Sequence, residues 1–235
     1  MILFHGDSFT WGSGLQYHCL VEEYGYTWEE CKQFLPDRFR LEHFPKKIDD
    51  YRIKHSFANK VSEYFDTSYL LSLNGNGGDN TIIQKRLFIP NEEYHAGLHW
   101  SEIDFHIIQL STPLRNNPHI DINSDVSDLI YSEVSTILYK LSKLPQIQKN
   151  NYLFLCWFPE HSEIIKQTSP NNLIYLNYNN QLYDCFYPLH QMDSLTFRQY
   201  GLQDGHFTKE GHDIIANSII NKIKENNFKF NRIDI

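Results

Sequence analysis

Short apolar runs alternate with amphipathic stretches along the chain, and this alternation predicts parallel strands joined by helices. Five apolar runs read as strands, at residues 1–5, 69–73, 103–110, 152–158 and 173–176. Several are apolar or β-branched through most of their length, as expected of strands buried on both faces. Strands that alternate with helices are typical of an α/β protein with a mostly parallel sheet.

Three helices are predicted from their apolar spacing and their caps. Ser56 can cap a helix over residues 56–65, and Thr208 can cap a terminal helix with isoleucines on one face. The strongest helical periodicity covers residues 124–144 and ends at Pro145. These helices lie between or after the predicted strands, as an α/β fold requires.

A long aromatic-rich segment, at about residues 16–54, separates the first strand from the second. Within it, Thr27 and Glu30 have the spacing of a capping box and predict a short helix. Connections this long are usually functional or disordered, and so many aromatic residues argue against disorder. We expect an insertion that lies beside the site as a lid or substrate wall. A structural excursion or an oligomer contact is the alternative, and the sequence leaves the oligomeric state open.

The composition is that of one globular domain spanning residues 1–235, with 41% hydrophobic and 21% charged residues. A formal net charge of -8 argues against a nucleic-acid partner, because such proteins need a basic patch. The four cysteines form no C-x-x-C pair, which disfavours a zinc or redox centre. We expect neither a metal nor a cofactor.

The chain is expected to be cytoplasmic. No stretch approaches the roughly 18 apolar residues of a membrane span, so no membrane partner is expected. The candidate site begins at Gly6, which leaves no room for a cleavable leader before it.

The first candidate for chemistry is Gly6-Asp7-Ser8, directly after the first strand. Open α/β sheets bind ligands beyond the carboxyl ends of their strands, and a serine at this position is a candidate nucleophile. The alternative is a helix cap or a turn serine. Trp11 follows closely and is a candidate substrate contact.

Three later loops also follow predicted strands or precede a helix. The second strand leads into Asn74-Gly75-Asn76-Gly77-Gly78-Asp79-Asn80, where Asn80 excludes a G-x-G-x-x-G dinucleotide loop. The third strand ends in a polar segment with four candidate residues: Gln109, Ser111, Thr112 and Arg115. Asp204 and His206 stand just before the last helix.

These segments together resemble the GDSL, or SGNH, hydrolase superfamily. Gly6-Asp7-Ser8-Phe9 is similar to its first block, with Phe9 in place of Leu. Gly78-Asp79 is similar to its second block, and Asp204-Gly205-His206 to its fifth, in a shorter Asp-x-His form. The third block, Gly-x-Asn-Asp, is missing. The resemblance implies a flavodoxin-like, three-layer α/β/α sandwich with a sheet of about five strands.

The resemblance also implies a role for each matching residue. Ser8 would be the nucleophile, His206 its base, and Asp204 the group that orients the imidazole. The backbone N–H groups of Ser8 and Gly78 would hold the oxyanion. In place of the missing block, Gln109, Ser111 or Thr112 would supply a third donor. We expect Asp7 to brace the Ser8 turn rather than to act as an acid.

The predicted function is serine-dependent hydrolysis of an ester, of the esterase or deacetylase type. The substrate would be a small-molecule or glycan ester, with Asn80, Trp11 and Arg115 as candidate contacts; a surface or ion-paired role is the alternative for Arg115. Two other functions fit the same scaffold. One is a non-catalytic glycan-binding or structural module, and the other is an O-acyltransferase that uses the same serine and histidine.

Overall fold

Four parallel strands form a sheet in which β1 and β3 are central. The structure, a computed structural model, describes residues 1–33, 45–71, 80, 102–111, 127–143, 151–193, 202, 205–228 and 230. The strands are β1 (Ile2–His5), β2 (Tyr69–Leu71), β3 (Phe105–Gln109) and β4 (Tyr152–Leu155), in the order β2-β1-β3-β4. In the register of the sheet, Leu3 lies opposite Leu70 on one side and His106 on the other.

Helices connect and flank these strands. The helices near the N-terminus are α1 (Ser8–Trp11), α2 (Leu15–Tyr24), α3 (Trp28–Cys31), α4 (Lys46–His55) and α5 (Phe57–Tyr64). Those that follow β3 are α6 (Ser127–Leu141), α7 (Pro159–Thr168), α8 (Phe186–Asp193) and α9 (Lys209–Glu225). A short antiparallel hairpin of β5 (Leu176–Tyr178) and β6 (Gln181–Tyr183) lies between α7 and α8.

The sheet has a hydrophobic core on each face. Successive residues of a strand point to opposite faces, and Ile107 and Ile108 of β3 belong to different buried clusters. The cluster around Ile107 includes residues of α5 and α9, and the cluster around Ile108 includes residues of α6 and α7. The protein is therefore a three-layer α/β/α sandwich, which confirms the predicted fold class.

The predicted caps are present. The Ser56 hydroxyl accepts the Asn59 N–H at 3.3 Å, and the Thr208 hydroxyl accepts the Gly211 N–H at 3.2 Å. Thr27 forms the full capping box that starts α3. A cap needs only residues within one turn, so its signal can be read locally.

Two features of the structure differ from what the sequence pattern suggests: the fifth strand and the position of His161. Among the described residues, the expected fifth strand is reduced to one parallel bridge between Leu173 and Phe154, because the chain then pairs with itself in the β5–β6 hairpin. His161 stands in a polar stretch that is typical of an exposed loop, but it lies fully buried in the first turn of α7. Pro159, the first residue of that helix, suits a helix start because proline has no N–H to leave unsatisfied.

The described parts of the aromatic-rich segment form α2, α3 and most of α4. They share a buried cluster with Leu202, and its other members are Tyr17, Cys19, Leu20, Cys31, Ile48 and Tyr51. No helix in the described ranges is long and apolar enough to cross a membrane.

Candidate active site

Ser8 and His206 meet at the carboxyl end of β1. The Ser8 Oγ lies 2.8 Å from the His206 Nε2, although the two residues are 198 positions apart in the chain. Ser8 is 4% exposed, and His206 is half-buried. The structure therefore brings together the two residues that the sequence singled out as nucleophile and base.

The local sequence explains why Ser8 begins a helix immediately after the strand. Asp7 has an extended backbone and caps α1 by accepting the Phe9 N–H at 2.9 Å. Gly12 ends this single turn with φ of 90°, a conformation that glycine adopts without steric cost. Ser8 is thus the first residue of a very short helix.

Asp7 also ties this turn to the end of β3. Its carboxylate accepts hydrogen bonds from Gln109 Nε2 at 2.8 Å and from the Ser111 hydroxyl at 2.9 Å. The Thr10 hydroxyl donates to Gln109 Oε1, which closes a ring of buried polar contacts. Asp7 is 2% exposed, so each of these bonds replaces water that the carboxylate has lost. The position and contacts of Asp7 are those of a brace.

The same contacts involve two of the candidates for the third oxyanion donor. Gln109 and Ser111 were expected to offer donors to substrate, but the Gln109 amide nitrogen and the Ser111 hydroxyl each donate to Asp7. The Ser111 N–H is also used, since it donates to Asn80 Oδ1 at 2.7 Å. Burial of Asp7 explains this outcome, because a buried carboxylate recruits the nearest donors. The remaining candidate, Thr112, lies outside the described residues.

Asn80 supports the end of β3 and has no exposed surface. Its amide nitrogen donates to the Ser111 carbonyl at 2.9 Å and to Glu133 Oε2 at 2.7 Å. Asn80, a predicted substrate contact, is therefore buried, and its side-chain amide holds Ser111. Gly78, Arg115 and Asp204, which were also predicted to serve the site, lie outside the described residues.

Trp11 is likewise engaged within the protein. The guanidinium of Arg52 lies 3.5 Å from the centre of the indole ring, and Arg52 also donates to the Trp11 carbonyl. Trp11 is 9% exposed. Arg52 therefore covers one face of the ring that was expected to contact substrate, and the pair packs the end of α1 against α4.

The imidazole of His206 packs against a cluster of aromatic rings through Phe9. Phe9 lies 4.7 Å from it between ring centres, and Trp157 lies 4.5 Å from Phe9. His190 of α8 packs against both Phe9 and Trp157, at 6.2 and 5.4 Å. The sequence indicated no role for Trp157 or His190. Trp157 was marked only by its position at the end of a predicted strand, and His190 only by its place in an aromatic-rich segment.

The start of α9 fixes the chain just beyond His206. The Lys209 N–H donates to His18 Nε2 at 3.1 Å. Burial lowers the pKa of His18 to about 4, so the imidazole is neutral near pH 7 and has a nitrogen lone pair that accepts this bond. The contact joins α2 to the segment that carries His206.

The described residues contain no group of three or more histidine, cysteine or acidic side chains that could hold a metal ion. The four cysteines are buried and free. Burial raises the pKa of the Cys31 and Cys185 thiols to about 11, so both thiols are protonated near pH 7 and are poor nucleophiles.

Gly6 leaves the space in which this polar ring closes. A methyl group there would overlap the Thr10 hydroxyl and come within 3.0 Å of Gln109 Oε1. We expect Gly6→Ala to lower the free energy of unfolding by about 2–4 kcal/mol, since overpacking and a broken hydrogen bond add. Urea denaturation measures this change in the free energy of unfolding. Gly25→Ala is the control, because nothing lies within 4 Å of its added carbon and only its positive φ costs about 1 kcal/mol. Equal losses in the two variants would contradict the close packing at Gly6.

Buried histidines make the stability depend on pH. Burial lowers the pKa of His161 to about 3, and its Nε2 has no hydrogen-bond partner in the described structure. The unfolded chain binds a proton at each imidazole below about pH 6.5, whereas folded His161 and His18 do not, so stability falls as pH falls. Burial also raises the pKa of Asp193 to about 6, which acts in the opposite direction between about pH 6 and 4. Burial also lowers the pKa of fully buried His212, so the imidazoles outnumber the one opposing carboxyl group, and we expect a net loss of at least about 2 kcal/mol in the free energy of unfolding from pH 7 to 5.

His161→Asn tests this account, because the Asn oxygen can still accept the Phe158 N–H that His161 Nδ1 accepts at 3.3 Å. Urea denaturation between pH 7 and 5 should show that the slope of the free energy of unfolding against pH is smaller by about 1 kcal/mol per pH unit in this variant. Half-buried His55 is the control site, where His55→Asn should change the slope less. An unchanged slope in His161→Asn would exclude His161 as a source of the dependence.

No protein-family model matches the chain, and no curated protein matches it. Among solved structures, one similar chain is a carbohydrate esterase whose active site is described as displaying divergent catalytic and non-catalytic binding functions. The two chains are 17% identical, the match covers 95% of this chain and 64% of the esterase, and the TM-score is 0.44. This chain thus spans less than two-thirds of that protein's length. A likeness at this level establishes neither a family nor an activity.

Proposed function

We propose that the protein is a serine-dependent ester hydrolase with Ser8 as nucleophile and His206 as general base. The observation that carries the proposal is the 2.8 Å separation between Ser8 Oγ and His206 Nε2. A serine hydroxyl is a weak nucleophile at neutral pH and needs an adjacent base, and the two must lie within hydrogen-bonding reach. Asp7 supports the proposal, because it fixes the turn that presents Ser8.

In this mechanism Ser8 Oγ attacks the ester carbonyl carbon while His206 Nε2 takes the hydroxyl proton. The tetrahedral intermediate collapses when the imidazolium returns that proton to the departing alcohol, which leaves an acyl-serine. Water then attacks the acyl-serine with His206 again as base, and Ser8 recovers its proton as the acid leaves. Asp204 would orient the imidazole by accepting its other N–H.

The oxyanion would be held by backbone N–H groups of Ser8 and Gly78. Such donors stabilise the charge that develops on the carbonyl oxygen, and loss of one donor lowers turnover by about 10²–10³-fold where measured. The substrate would be a small-molecule or glycan ester.

Covalent labelling by a fluorophosphonate tests the proposal, because this reagent reacts with an activated serine. We expect labelling of the wild type at Ser8, identified by peptide mass spectrometry, together with hydrolysis of 4-nitrophenyl acetate. His206→Ala should lose both reactions. A wild type that neither labels at Ser8 nor hydrolyses aryl esters of any acyl length would exclude the hydrolase.

A non-catalytic glycan-binding module is the second candidate, and one observation favours it. The side-chain donors of Gln109 and Ser111, two of the candidate oxyanion donors, are used by Asp7. The labelling experiment separates the two functions, since a binding module would bind acetylated glycans without labelling or acetate release.

A further inference from the structure

Helix α8 ends against the segment that carries His206. Asp193, its last residue, is 1% exposed, and its carboxylate accepts the Thr208 hydroxyl at 2.8 and 2.9 Å from its two oxygens. The Asp193 carbonyl also accepts the Thr208 N–H at 3.2 Å. Thr208 is the cap of α9 and stands two residues after His206. Asp193 therefore fixes the chain on one side of the imidazole through both its side chain and its backbone.

His190 acts on the other side of His206. It lies one turn before Asp193 in α8, so the two side chains share a face of the helix. Its ring centre is 6.1 Å from that of Phe207, and its imidazole interacts with the backbone of Gly205, the residue before His206. One face of α8 thus contacts the residues on both sides of His206 in the chain.

The fit between α8 and α9 depends on the absence of a side chain at Gly211. A methyl group there would overlap the Asp193 carboxylate and come within 3.0 Å of Phe207 Cβ. The carboxylate therefore occupies the space directly over the first turn of α9. This contact is specific in shape as well as in hydrogen bonding, since a residue larger than glycine would push Asp193 away from Thr208.

We propose that α8 is a clamp that sets the position of His206 relative to Ser8, with Asp193 and His190 as positioning residues. The contacts that define the clamp stand independently of any activity, and its kinetic consequence rests on the proposed function. A base displaced by about 1 Å from its nucleophile loses up to about 10²-fold in rate. Neither residue touches the reacting atoms in this proposal, because each acts through the backbone beside His206.

Four variants test the clamp by kinetics with 4-nitrophenyl acetate. We expect Asp193→Ala and His190→Ala to lower kcat by about 10-fold to 100-fold while KM changes less than about 3-fold, since the base moves and the substrate contacts do not. Asp193→Asn should recover most of kcat, because the amide oxygen can still accept the Thr208 hydroxyl. Gln191→Ala is the control on the exposed side of α8 and should match the wild type.

Nitrogen NMR of the His206 imidazole tests the clamp without activity. The His206 signal, assigned by its loss in His206→Gln, should shift in His190→Ala and Asp193→Ala but not in Gln191→Ala. If Asp193→Ala fails to fold, the His190→Ala variant alone decides whether α8 positions His206. An unchanged signal and unchanged kcat in folded His190→Ala would overturn the clamp while leaving the hydrolase intact. A wild type without turnover or labelling would remove the hydrolase, and the NMR comparison would still decide the clamp.

Discussion

Replacement of Ser8 by alanine is expected to lower kcat for 4-nitrophenyl acetate by about 10⁴-fold to 10⁶-fold. The reason is that the hydroxyl next to His206 Nε2 would be the atom that forms the acyl bond, and no other described group is placed to replace it. The added cost in stability should be small, since the change removes one hydroxyl from a buried position. Steady-state kinetics measures the rate, and circular dichroism establishes that the variant is folded.

Two comparisons make this result specific. His206→Ala should lose a similar factor, and the double variant should lose little more than either single variant, because a nucleophile and its base act as one unit. Ser142→Ala is the control, since its hydroxyl caps the exposed end of α6 by donating to the Tyr139 carbonyl. Losses that simply multiply in the double variant, or substantial activity left in Ser8→Ala, would argue that the two residues do not work together.

Replacement of Asp7 by alanine is expected to lower the free energy of unfolding by about 3–5 kcal/mol. Its carboxylate receives hydrogen bonds from the Phe9 N–H, Gln109 and Ser111, and all of these donors are buried. Each donor that loses its acceptor costs about 1–3 kcal/mol, and part of this is recovered because the buried charge disappears with them. Urea denaturation with a two-state fit gives the value.

The matched control for this change is Asp50→Ala. Asp50 is an exposed carboxylate that pairs with Lys46 one turn earlier at 2.5 Å, and such surface pairs contribute about 0.3–0.5 kcal/mol. The loss of unfolding free energy in Asp7→Asn should lie between the losses in these two alanine variants. The amide keeps one acceptor oxygen but turns an NH2 group towards a donor. If Asp7→Ala and Asp50→Ala lost the same stability, the polar ring at the Ser8 turn would not be a major source of it.

Much of the fold could be predicted because its signals are local. The cap at Thr208 is defined within one turn of chain, and β1 is an uninterrupted apolar run. Ser8 could be placed at the binding edge of the sheet because it follows a parallel strand, whereas its meeting with His206 was implied by the resemblance of both segments to hydrolase motifs. The sequence therefore indicated the right edge and two of the residues that meet there.

The partners of the buried polar side chains could not be predicted in the same way. Asn80 could contact a substrate or hold a loop, and only the position of Ser111, 31 residues later, decides in favour of the loop. The indole of Trp11 is covered by Arg52, which belongs to a segment that the sequence indicated only as an insertion. Such choices depend on which donors the tertiary fold brings near, and hydrophobic periodicity carries no information about them.

The burial of His161 could not be predicted from the local sequence either. Histidine in a polar stretch suggests an exposed loop, yet this imidazole lies wholly inside the protein at the start of α7. Its Nδ1 accepts the N–H of Phe158, a local bond that three residues of sequence permit but do not require. The depth of the ring is set by the packing of α7 against the sheet, which lies beyond the reach of a local pattern.

The buried carboxylate of Asp7 has a consequence for the way in which the site can move. Its bonds join the turn that carries Ser8 to the last residues of β3, so the hydroxyl shares the rigidity of two central strands. The imidazole, in contrast, precedes α9, and the residues beside it in the chain contact Asp193 and His190 of α8. Any adjustment that a bound ester demands at the base would therefore involve a helix, while the attacking oxygen keeps a fixed reference position in the sheet.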